Sequence, residues 1–206
     1  MTTLTRGSPA SRCRSTALAS TAPPALVVFY EGQRIYFSPV EPEDEPLLRR
    51  WINDPANWRG LMHRGPVNSG REREWIESIG RDGKDYVFGV VVREGDRLIG
   101  VTGLHNVQSV ARKATFGINI GDRAFQNKGY GTEATLLCLR YGFEELNLNR
   151  IALSVFSNNP RAIRTYQKAG FVQEGCLRQA VYRNGRYEDE YQFAILREEW
   201  ERGQQQ

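Results

Sequence analysis

The sequence has few of the residues that build disulfide frameworks and metal centres. Its three cysteines (Cys13, Cys138 and Cys176) lie far apart without a C-x-x-C pair, and its two histidines are His63 and His105. This spacing indicates neither a disulfide framework nor a zinc site. We therefore expect a protein of the reducing cytoplasm that holds no metal.

Long apolar runs are also missing. No run approaches the roughly 18 residues that a membrane-spanning helix needs, so we expect no membrane partner. Acidic residues are absent from the first 30 positions, which carry three arginines. The formal net charge of +4 comes largely from that segment, because 25 basic and 24 acidic residues remain without it. The rest of the chain therefore does not predict nucleic-acid binding.

The N-terminal segment differs in composition from the rest of the chain. Residues 1–25 are rich in Ser, Thr, Ala, Pro and Arg and lack apolar periodicity. This composition is typical of a transit-type targeting segment, but equally of a disordered extension or a wrongly assigned start, which we favour. We expect one domain over residues 26–200 and a short polar tail over 201–206.

Periodicity and turn residues predict the order of elements along this domain. A hairpin opens it, two helices follow, the second with a capping box at Ser69–Glu72, and a three-strand meander comes next. A strand-helix-strand-helix segment and a hairpin joined by Asn184-Gly185 close it. This order predicts a mixed α/β (α+β) domain. The predicted strands of the meander are 86–92, 97–104 and 114–120. The next segment comprises a helix at 132–145, a strand at 150–156 and a helix at 160–170, and the strands of the closing hairpin are 171–182 and 186–196.

A glycine-rich loop stands between a strand and a helix in that order. Its sequence, Gln126-Asn127-Lys128-Gly129-Tyr130-Gly131, is followed by Thr132, where we expect the helix to begin. Glycines allow a close approach to phosphate, and the free N–H groups of a helix start attract an anion. The loop therefore predicts a ligand that contains pyrophosphate.

A dinucleotide is the first alternative for that ligand, because Gly129–Ala134 also matches G-x-G-x-x-A. A Rossmann loop follows its strand directly and needs an acidic residue about 20 positions later, at the end of the next strand. Here the six residues Gly121–Gln126 intervene, and the strand 150–156 ends in Ser157-Asn158-Asn159. Dinucleotide binding is therefore disfavoured.

A second segment decides between these ligands. The run Asn159–Phe171 resembles the Asn-x-x-Ala-x-x-x-Tyr-x-x-x-Gly-Phe signature of GNAT acetyltransferases, and Gln126–Gly131 precedes it at the usual distance. The resemblance covers roughly residues 33–198. Trp51–Pro55 and Arg186–Tyr191 look like the branch that contains ribosomal-protein alanine and spermidine N-acetyltransferases. The resemblance to GNAT acetyltransferases implies a mostly antiparallel sheet with splayed strands, flanked by about four helices.

The resemblance also implies an activity and a set of site residues. Acetyl-CoA is the expected co-substrate, and the acetyl group passes directly to a primary amine. Tyr166 is the implied general acid for the departing thiolate, although its place in the apolar stripe of its helix also fits simple packing. The implied coenzyme contacts are Asn119, Ile120, Gln126, Asn127, Lys128, Gly129, Tyr130, Gly131, Thr132, Asn159 and Arg161.

The base is where the sequence departs from this pattern. Many similar proteins carry Glu at the position of Thr115, and threonine cannot replace a carboxylate. A base matters because an amine with a pKa near 10.4 is neutral at pH 7 only at a cost of roughly 4–5 kcal/mol. His105 at a strand end and Asp189 in the last hairpin are candidates. A water chain without a single base is the third possibility.

Two features are expected to be structural, and two questions stay open. Cys138 and the tryptophans of the early helices fit core packing, although that helix pair usually shapes the acceptor pocket in similar proteins. The acceptor is a peptide N-terminus, polyamine, aminoglycoside or amino sugar. The alternative is a catalytically idle acyl-CoA sensor on the same fold. The closing hairpin offers an edge for a homodimer.

Overall fold

The strands and helices follow the predicted order. The computed structural model describes residues 26–58, 60–61, 63 and 65–205; the predicted N-terminal extension, residues 1–25, lies outside them. The strands are β1 (Tyr30–Glu31), β2 (Ile35–Ser38), β3 (Tyr86–Val92), β4 (Arg97–Gln108), β5 (Lys113–Asn119), β6 (Arg150–Phe156), β7 (Val172–Arg183) and β8 (Arg186–Leu196). The helices are α1 (Glu45–Asn53), α2 (Pro55–Trp58), α3 (Ser69–Ser78), α4 (Tyr130–Arg140), α5 (Pro160–Lys168) and α6 (Arg197–Gln204).

All eight strands of the described residues form one sheet in the order β1-β2-β3-β4-β5-β6-β8-β7. Every neighbouring pair is antiparallel except β5 and β6. This confirms the predicted mixed, mostly antiparallel sheet. The described part of the chain has six helices where about four were expected, because α2 is a single turn and α6 forms within the C-terminal stretch from 197 to 204.

The sheet separates two apolar layers. On one face, α4 and α5 pack over side chains such as Leu104, Phe116 and Ile151, which are 0%, 4% and 0% exposed. On the other face, α1 and α3 cover a smaller cluster that includes Trp51 and Ile76. Because both faces of the sheet are covered, the central strands contain continuous apolar runs as well as stretches in which apolar and polar residues alternate. Each helix pair thus covers one face of the sheet.

Local signals set several of these boundaries as expected. The side-chain oxygen of Asn159 accepts a hydrogen bond from the Ala162 N–H at 3.2 Å, which caps α5, and Pro160 occupies its first turn. Gly170 adopts a φ of +94°, the left-handed conformation that ends a helix without steric cost. Asn184 and Gly185 have φ values of +50° and +81°, as a type I′ hairpin turn requires.

Two predicted helix starts are wrong. Helix α4 begins at Tyr130 and not at Thr132, because Gly129 has a φ of +85° and turns the chain into the helix two residues earlier. Helix α3 has no capping box at Ser69: Asn68 is its N-cap and accepts from the Arg71 N–H at 2.9 Å. Because the cap lies one residue upstream, Glu72 is one position beyond the place where a capping-box carboxylate would stand.

The predicted buried face of α4 is confirmed. Cys138 is 0% exposed, and burial raises the pKa of its thiol to about 12, so it is a core residue. The last turn of this helical segment, Tyr141–Glu145, widens into a π-helix. Within the described residues, none of the helices combines the length and apolar character needed to cross a bilayer.

Candidate active site

The site is built around a gap between β5 and β6. The two strands pair only over Lys113–Thr115 and Arg150–Ala152, although β5 continues to Asn119 and β6 to Phe156. Beyond Thr115 the strands splay, as expected. The backbone N–H and C=O groups on that edge of β5 have no strand partner, so they are free to bond to a ligand lying in the gap.

Two cavities lie on opposite faces of the end of β5. Consecutive strand residues point to opposite faces of a sheet. Asn119 accordingly lines a cavity of about 370 Å³ beneath α1 and α3, whereas Ile120 lines a cleft of about 120 Å³ beside α4 and α5. A ligand that reaches from one side to the other must therefore pass the gap where β5 and β6 separate.

The cleft contains the predicted anion-binding loop. The first helical N–H groups of α4 belong to Tyr130, Gly131 and Thr132, and no side chain caps them. The left-handed φ of Asn127 (+60°) and Gly129 (+85°) turns the loop toward this helix start. Together with the helix dipole, these free N–H groups make the cleft suited to a phosphate group.

Gln126 lines the cleft and also joins three elements of the fold. Its amide nitrogen donates to Asn57 Oδ1 at 3.0 Å and to the Ile120 carbonyl at 2.7 Å. Its amide oxygen accepts from Arg161 Nη1 at 2.7 Å. The side chain therefore ties the loop to α2, the end of β5 and α5. Its contacts position the loop, and the Arg161 guanidinium is held at the wall of the cleft.

A cluster of basic side chains surrounds the outer side of the loop. Arg34 pairs with Glu133 at 2.8 Å, donates to the Lys128 carbonyl at 3.1 Å, and lies 4.5 Å from the centre of the Tyr130 ring. The Lys128 ammonium lies 5.7 Å from the centre of the Phe125 ring. These contacts place positive charge near the helix start and support its attraction for anions.

Tyr166 is the most buried titratable group of the cleft. Its ring packs edge-on against Phe116 and Phe171, it is 8% exposed, and it lines the cleft. Burial raises its pKa to about 12, and the charge of Arg161 opposes that shift. Within the described residues, its hydroxyl makes no hydrogen bond, which leaves the proton available to a ligand. Packing and a chemical role are therefore compatible here.

Asn159 precedes Tyr166 by two helical turns but does not share its surroundings. Its side-chain oxygen is already used as the cap of α5, so only its amide nitrogen is left to donate. That nitrogen approaches α2, where it would lie 3.2 Å from a Cβ placed on Gly60. As the N-cap of α5, Asn159 lies outside the regular helix that carries Tyr166.

The larger cavity lies between the sheet and the helix pair α1 and α3. Its upper wall contains Trp51 and Trp75, and its floor contains Val87, Val101 and His105. The tryptophans were expected to pack, and these two do so in the smaller apolar cluster. The same side chains also give the cavity an aromatic wall.

Two paired glycines lie in the strands that form the floor of this cavity, and one of them, Gly117, lines it. Gly103 and Gly117 pair directly across β4 and β5. A Cβ at Gly103 would meet the Tyr86 carbonyl at 2.7 Å, whereas a Cβ at Gly117 would meet His105 Nε2 at 3.4 Å. The His105 ring therefore lies against Gly117, beside the unpaired part of β5.

A carboxylate orients His105. The imidazole Nδ1 lies 3.4 Å from Asp85 Oδ2, and the other oxygen of Asp85 accepts from the Asn106 N–H at 2.9 Å. Asn106 makes this contact because a bulge after His105 gives it a φ of +51°. Because Nδ1 faces Asp85, Nε2 is the ring nitrogen that is directed away from the carboxylate. His105 lies within β4 and not at its end, because the strand continues to Gln108.

Asp189 is not brought to either cavity. One of its oxygens accepts from the Gln179 N–H at 2.8 Å, and the other lies 3.8 Å from the Cys176 sulfur. Gln179 belongs to the irregular stretch of β7 between Leu177 and Val181, where the register with β8 shifts. The carboxylate thus stabilises this bulge.

Comparison with known proteins identifies this arrangement. Residues 34–172 match the acetyltransferase (GNAT) domain family. The probable N-acetyltransferase YjcK of Bacillus subtilis is 37% identical over 174 residues, which are 81% of this chain and 96% of that protein. The crystal structure of spermidine N-acetyltransferase from Vibrio cholerae in complex with CoA and spermine superposes with a TM-score of 0.76 at 27% identity, over 81% and 98% of the two chains.

The chain is a GNAT acetyltransferase. Its activity is acetyl-CoA-dependent acetylation of an amine, which confirms the prediction drawn from the segments Gln126–Gly131 and Asn159–Phe171. The interpretation as an enzyme is likewise confirmed over that of an idle module on the same fold. The matched V. cholerae structure contains CoA, in agreement with the coenzyme expected for this GNAT protein.

Sequence reasoning missed three residues of this GNAT site. Glu72 was assigned to a capping box, but Asn68 takes that role and Glu72 lines the larger cavity. Asp85 was not considered, because its contact with His105 depends on the register of β3 and β4. Asn57 was also overlooked; its amide donates to the Gly121 carbonyl at 2.9 Å and accepts from Gln126. The position of Asn57 just after Asp54-Pro55 was the available signal.

Proposed function

We propose that acetyl-CoA lies in the cleft, and that the amine acceptor enters the larger cavity from the opposite face of β5. The separation of β5 and β6 carries this proposal, because it is the place where both ligands can meet. The N–H groups of Tyr130, Gly131 and Thr132 receive the pyrophosphate, with Arg161 as the nearest cation on the wall. The open edge of β5 near Asn119 and Ile120 binds the pantetheine and polarises the thioester carbonyl.

His105 is the proposed general base. Its Nε2 accepts a proton from the acceptor ammonium, and Asp85 stabilises the imidazolium that forms. The neutral nitrogen then attacks the thioester carbon, a C–N bond forms, and the C–S bond breaks. The second proton of the nitrogen passes to the departing thiolate, which leaves the amide and free CoA. Asp189 is excluded from this role because its carboxylate is engaged in the β7 bulge.

The sheet register gives a physical reason for this choice. Thr115, where many similar proteins carry Glu, is the direct cross-strand partner of His105. Cross-strand partners share one face of the sheet, with Cβ atoms about 4.5–5.5 Å apart. The acid–base group is therefore moved to the neighbouring strand, to nearly the same place above the sheet.

Tyr166 completes the proposed reaction on the other side of the gap. The sulfur carries negative charge as the C–S bond breaks, and the Tyr166 hydroxyl lines the cleft without a hydrogen-bond partner among the described residues. The acceptor is a primary amine small enough to enter a cavity of about 370 Å³. A peptide N-terminus, a polyamine, an aminoglycoside and an amino sugar remain the classes to be compared.

A thiol-release assay with acetyl-CoA and a panel of primary amines tests this function. The wild-type protein should release free CoA with at least one amine, and His105→Gln should lower kcat/KM by about 10²–10⁴-fold. In the His105→Gln background, Thr115→Glu should recover part of the activity, whereas Thr115→Gln should not. An unchanged rate in His105→Gln would leave the water chain as the route for the proton. No thiol release with any amine would contradict the proposed function.

A further inference from the structure

The larger cavity has an unusual charge content for a site that receives an amine. Most of its described lining residues are apolar or aromatic, with Trp51 and Trp75 on the helix wall. Glu72 is the only carboxylate among those lining residues that the structure describes, and Arg71 is the only arginine. The cavity therefore supplies one negative charge to a ligand that arrives with positive charge.

Glu72 is held in place but not satisfied by the protein. It lies in the first turn of α3, is 6% exposed, and faces the cavity. Among the described residues, its carboxylate has neither a hydrogen-bond donor nor an ion-pair partner. The carboxylate lines the cavity and is not among the fully buried unsatisfied atoms of the described residues, so it is open to a donor from a ligand.

The surroundings of Glu72 increase its demand for a cation. Burial raises the pKa of its carboxyl, the nearby Glu45 raises it further, and Arg49 opposes both effects. Arg49 is already paired with Glu45 at 2.6 Å. The three groups together carry one uncompensated negative charge when Glu72 is ionised. One ammonium group would neutralise the cluster.

Additional positive charge on the ligand would have no second carboxylate as partner among the described lining residues. Arg71 and His63 line the same cavity, so the other titratable groups near a ligand are basic, as is His105 on the floor. An unpaired buried ammonium costs several kcal/mol in proteins. A linear polyamine would bring two or more such groups past the two tryptophans, whereas an apolar or aromatic body would pack against them.

We propose that the acceptor is a compact primary amine with one positive charge and an aromatic or branched apolar body, and that Glu72 is the residue that selects it. This inference rests on the proposed function. The ammonium ion, which is the dominant form of such an amine at pH 7, binds to Glu72 on the helix wall. The apolar body lies between Trp51 and Trp75, and the nitrogen gives its proton to His105 on the sheet floor.

The experiment compares four acceptors by thiol release from acetyl-CoA: phenethylamine, isopentylamine, spermidine and a peptide that begins with alanine. The two apolar amines should exceed spermidine in kcat/KM by about 100-fold or more, as expected for unpaired buried charge. With phenethylamine as the acceptor, Glu72→Gln should raise KM by about 10- to 100-fold, the value of one charge-assisted hydrogen bond, and change kcat much less. Glu77→Gln, on the exposed side of α3, is the matched control and should change neither.

The outcomes separate this inference from the function on which it rests. Turnover with spermidine equal to or better than the apolar amines would overturn the proposed acceptor class and leave the acetyltransferase function intact. An unchanged KM in Glu72→Gln, or a loss confined to kcat, would overturn its selecting role. If no amine is acetylated, the thermal stabilisation of the protein by phenethylamine in the presence of CoA still tests whether Glu72 binds the amine. It should occur in the wild type and disappear in Glu72→Gln, and its absence in the wild type would refute the inference.

Discussion

Replacing Tyr166 by Phe tests how the leaving thiolate is stabilised. The hydroxyl has a pKa of about 12 because it is buried. Burial makes the Tyr166 hydroxyl a weaker acid than an ordinary thiol, whose pKa is about 8.5, so complete proton transfer from Tyr166 to the thiolate is unfavourable. We therefore expect Tyr166 to hold the sulfur by a hydrogen bond and not to give up its proton completely in the rate-limiting step.

The size of the expected effect follows from that role. A hydrogen bond to a charged group contributes about 1.5–3 kcal/mol, which corresponds to about a 10- to 150-fold loss of kcat in Tyr166→Phe. The affinity for CoA should change little. The fold should be retained, because the ring keeps its contacts with Phe116 and Phe171 and the hydroxyl has no partner to lose among the described residues.

Steady-state kcat and KM, together with the dissociation constant of CoA, are the measurements. Tyr141→Phe is a matched control, because Tyr141 is also 8% exposed but packs in the core with Phe88 and Tyr30, outside both cavities. The control should keep the wild-type kcat. A loss well above about 10³-fold in Tyr166→Phe would refute the hydrogen-bond account and require proton transfer as in strong general acid catalysis. An unchanged kcat would remove Tyr166 from the reaction.

Two further predictions concern ligand binding and stability. Gly131→Val should weaken CoA binding by about 10- to 100-fold by calorimetry, since it fills the space before the α4 N–H groups. Gly70→Val, at the same position in the first turn of α3, is its control and should bind CoA normally. Glu72→Gln should raise the free energy of unfolding at pH 7. Burial raises the folded-state pKa of Glu72, so the wild type loses stability as pH rises through that pKa. Denaturant unfolding should show equal stabilities below about pH 4, and a variant less stable at pH 7 would contradict this reasoning.

Features governed by neighbouring residues could be predicted from the sequence. Helix α5 was predicted from Asn159-Pro160 and Gly170, and the closing hairpin from Asn184-Gly185, because caps and turns depend on a few adjacent positions. Strand β6 was predicted at its observed bounds, since its apolar run is interrupted on both sides by polar residues.

Features governed by distant residues could not be predicted. Whether Glu72 caps a helix or faces a cavity depends on Asn68 competing with Ser69, and both are good N-caps. The contact between Asp85 and His105 depends on strand register and on a bulge, which no local pattern specifies. The contacts of Gln126 with Asn57 and Arg161 likewise join residues that are far apart in the sequence and come together only in the folded chain.

The glycine pair beneath the acceptor cavity makes its two members unequal targets for protein engineering. Gly103 is fixed, because any side chain there would collide with a backbone carbonyl. Gly117 is open to change, because a methyl group there would meet only the edge of the His105 ring at ordinary contact distance. Substitution at this one position can thus adjust the depth of the floor and the tilt of the imidazole while the strands keep their path.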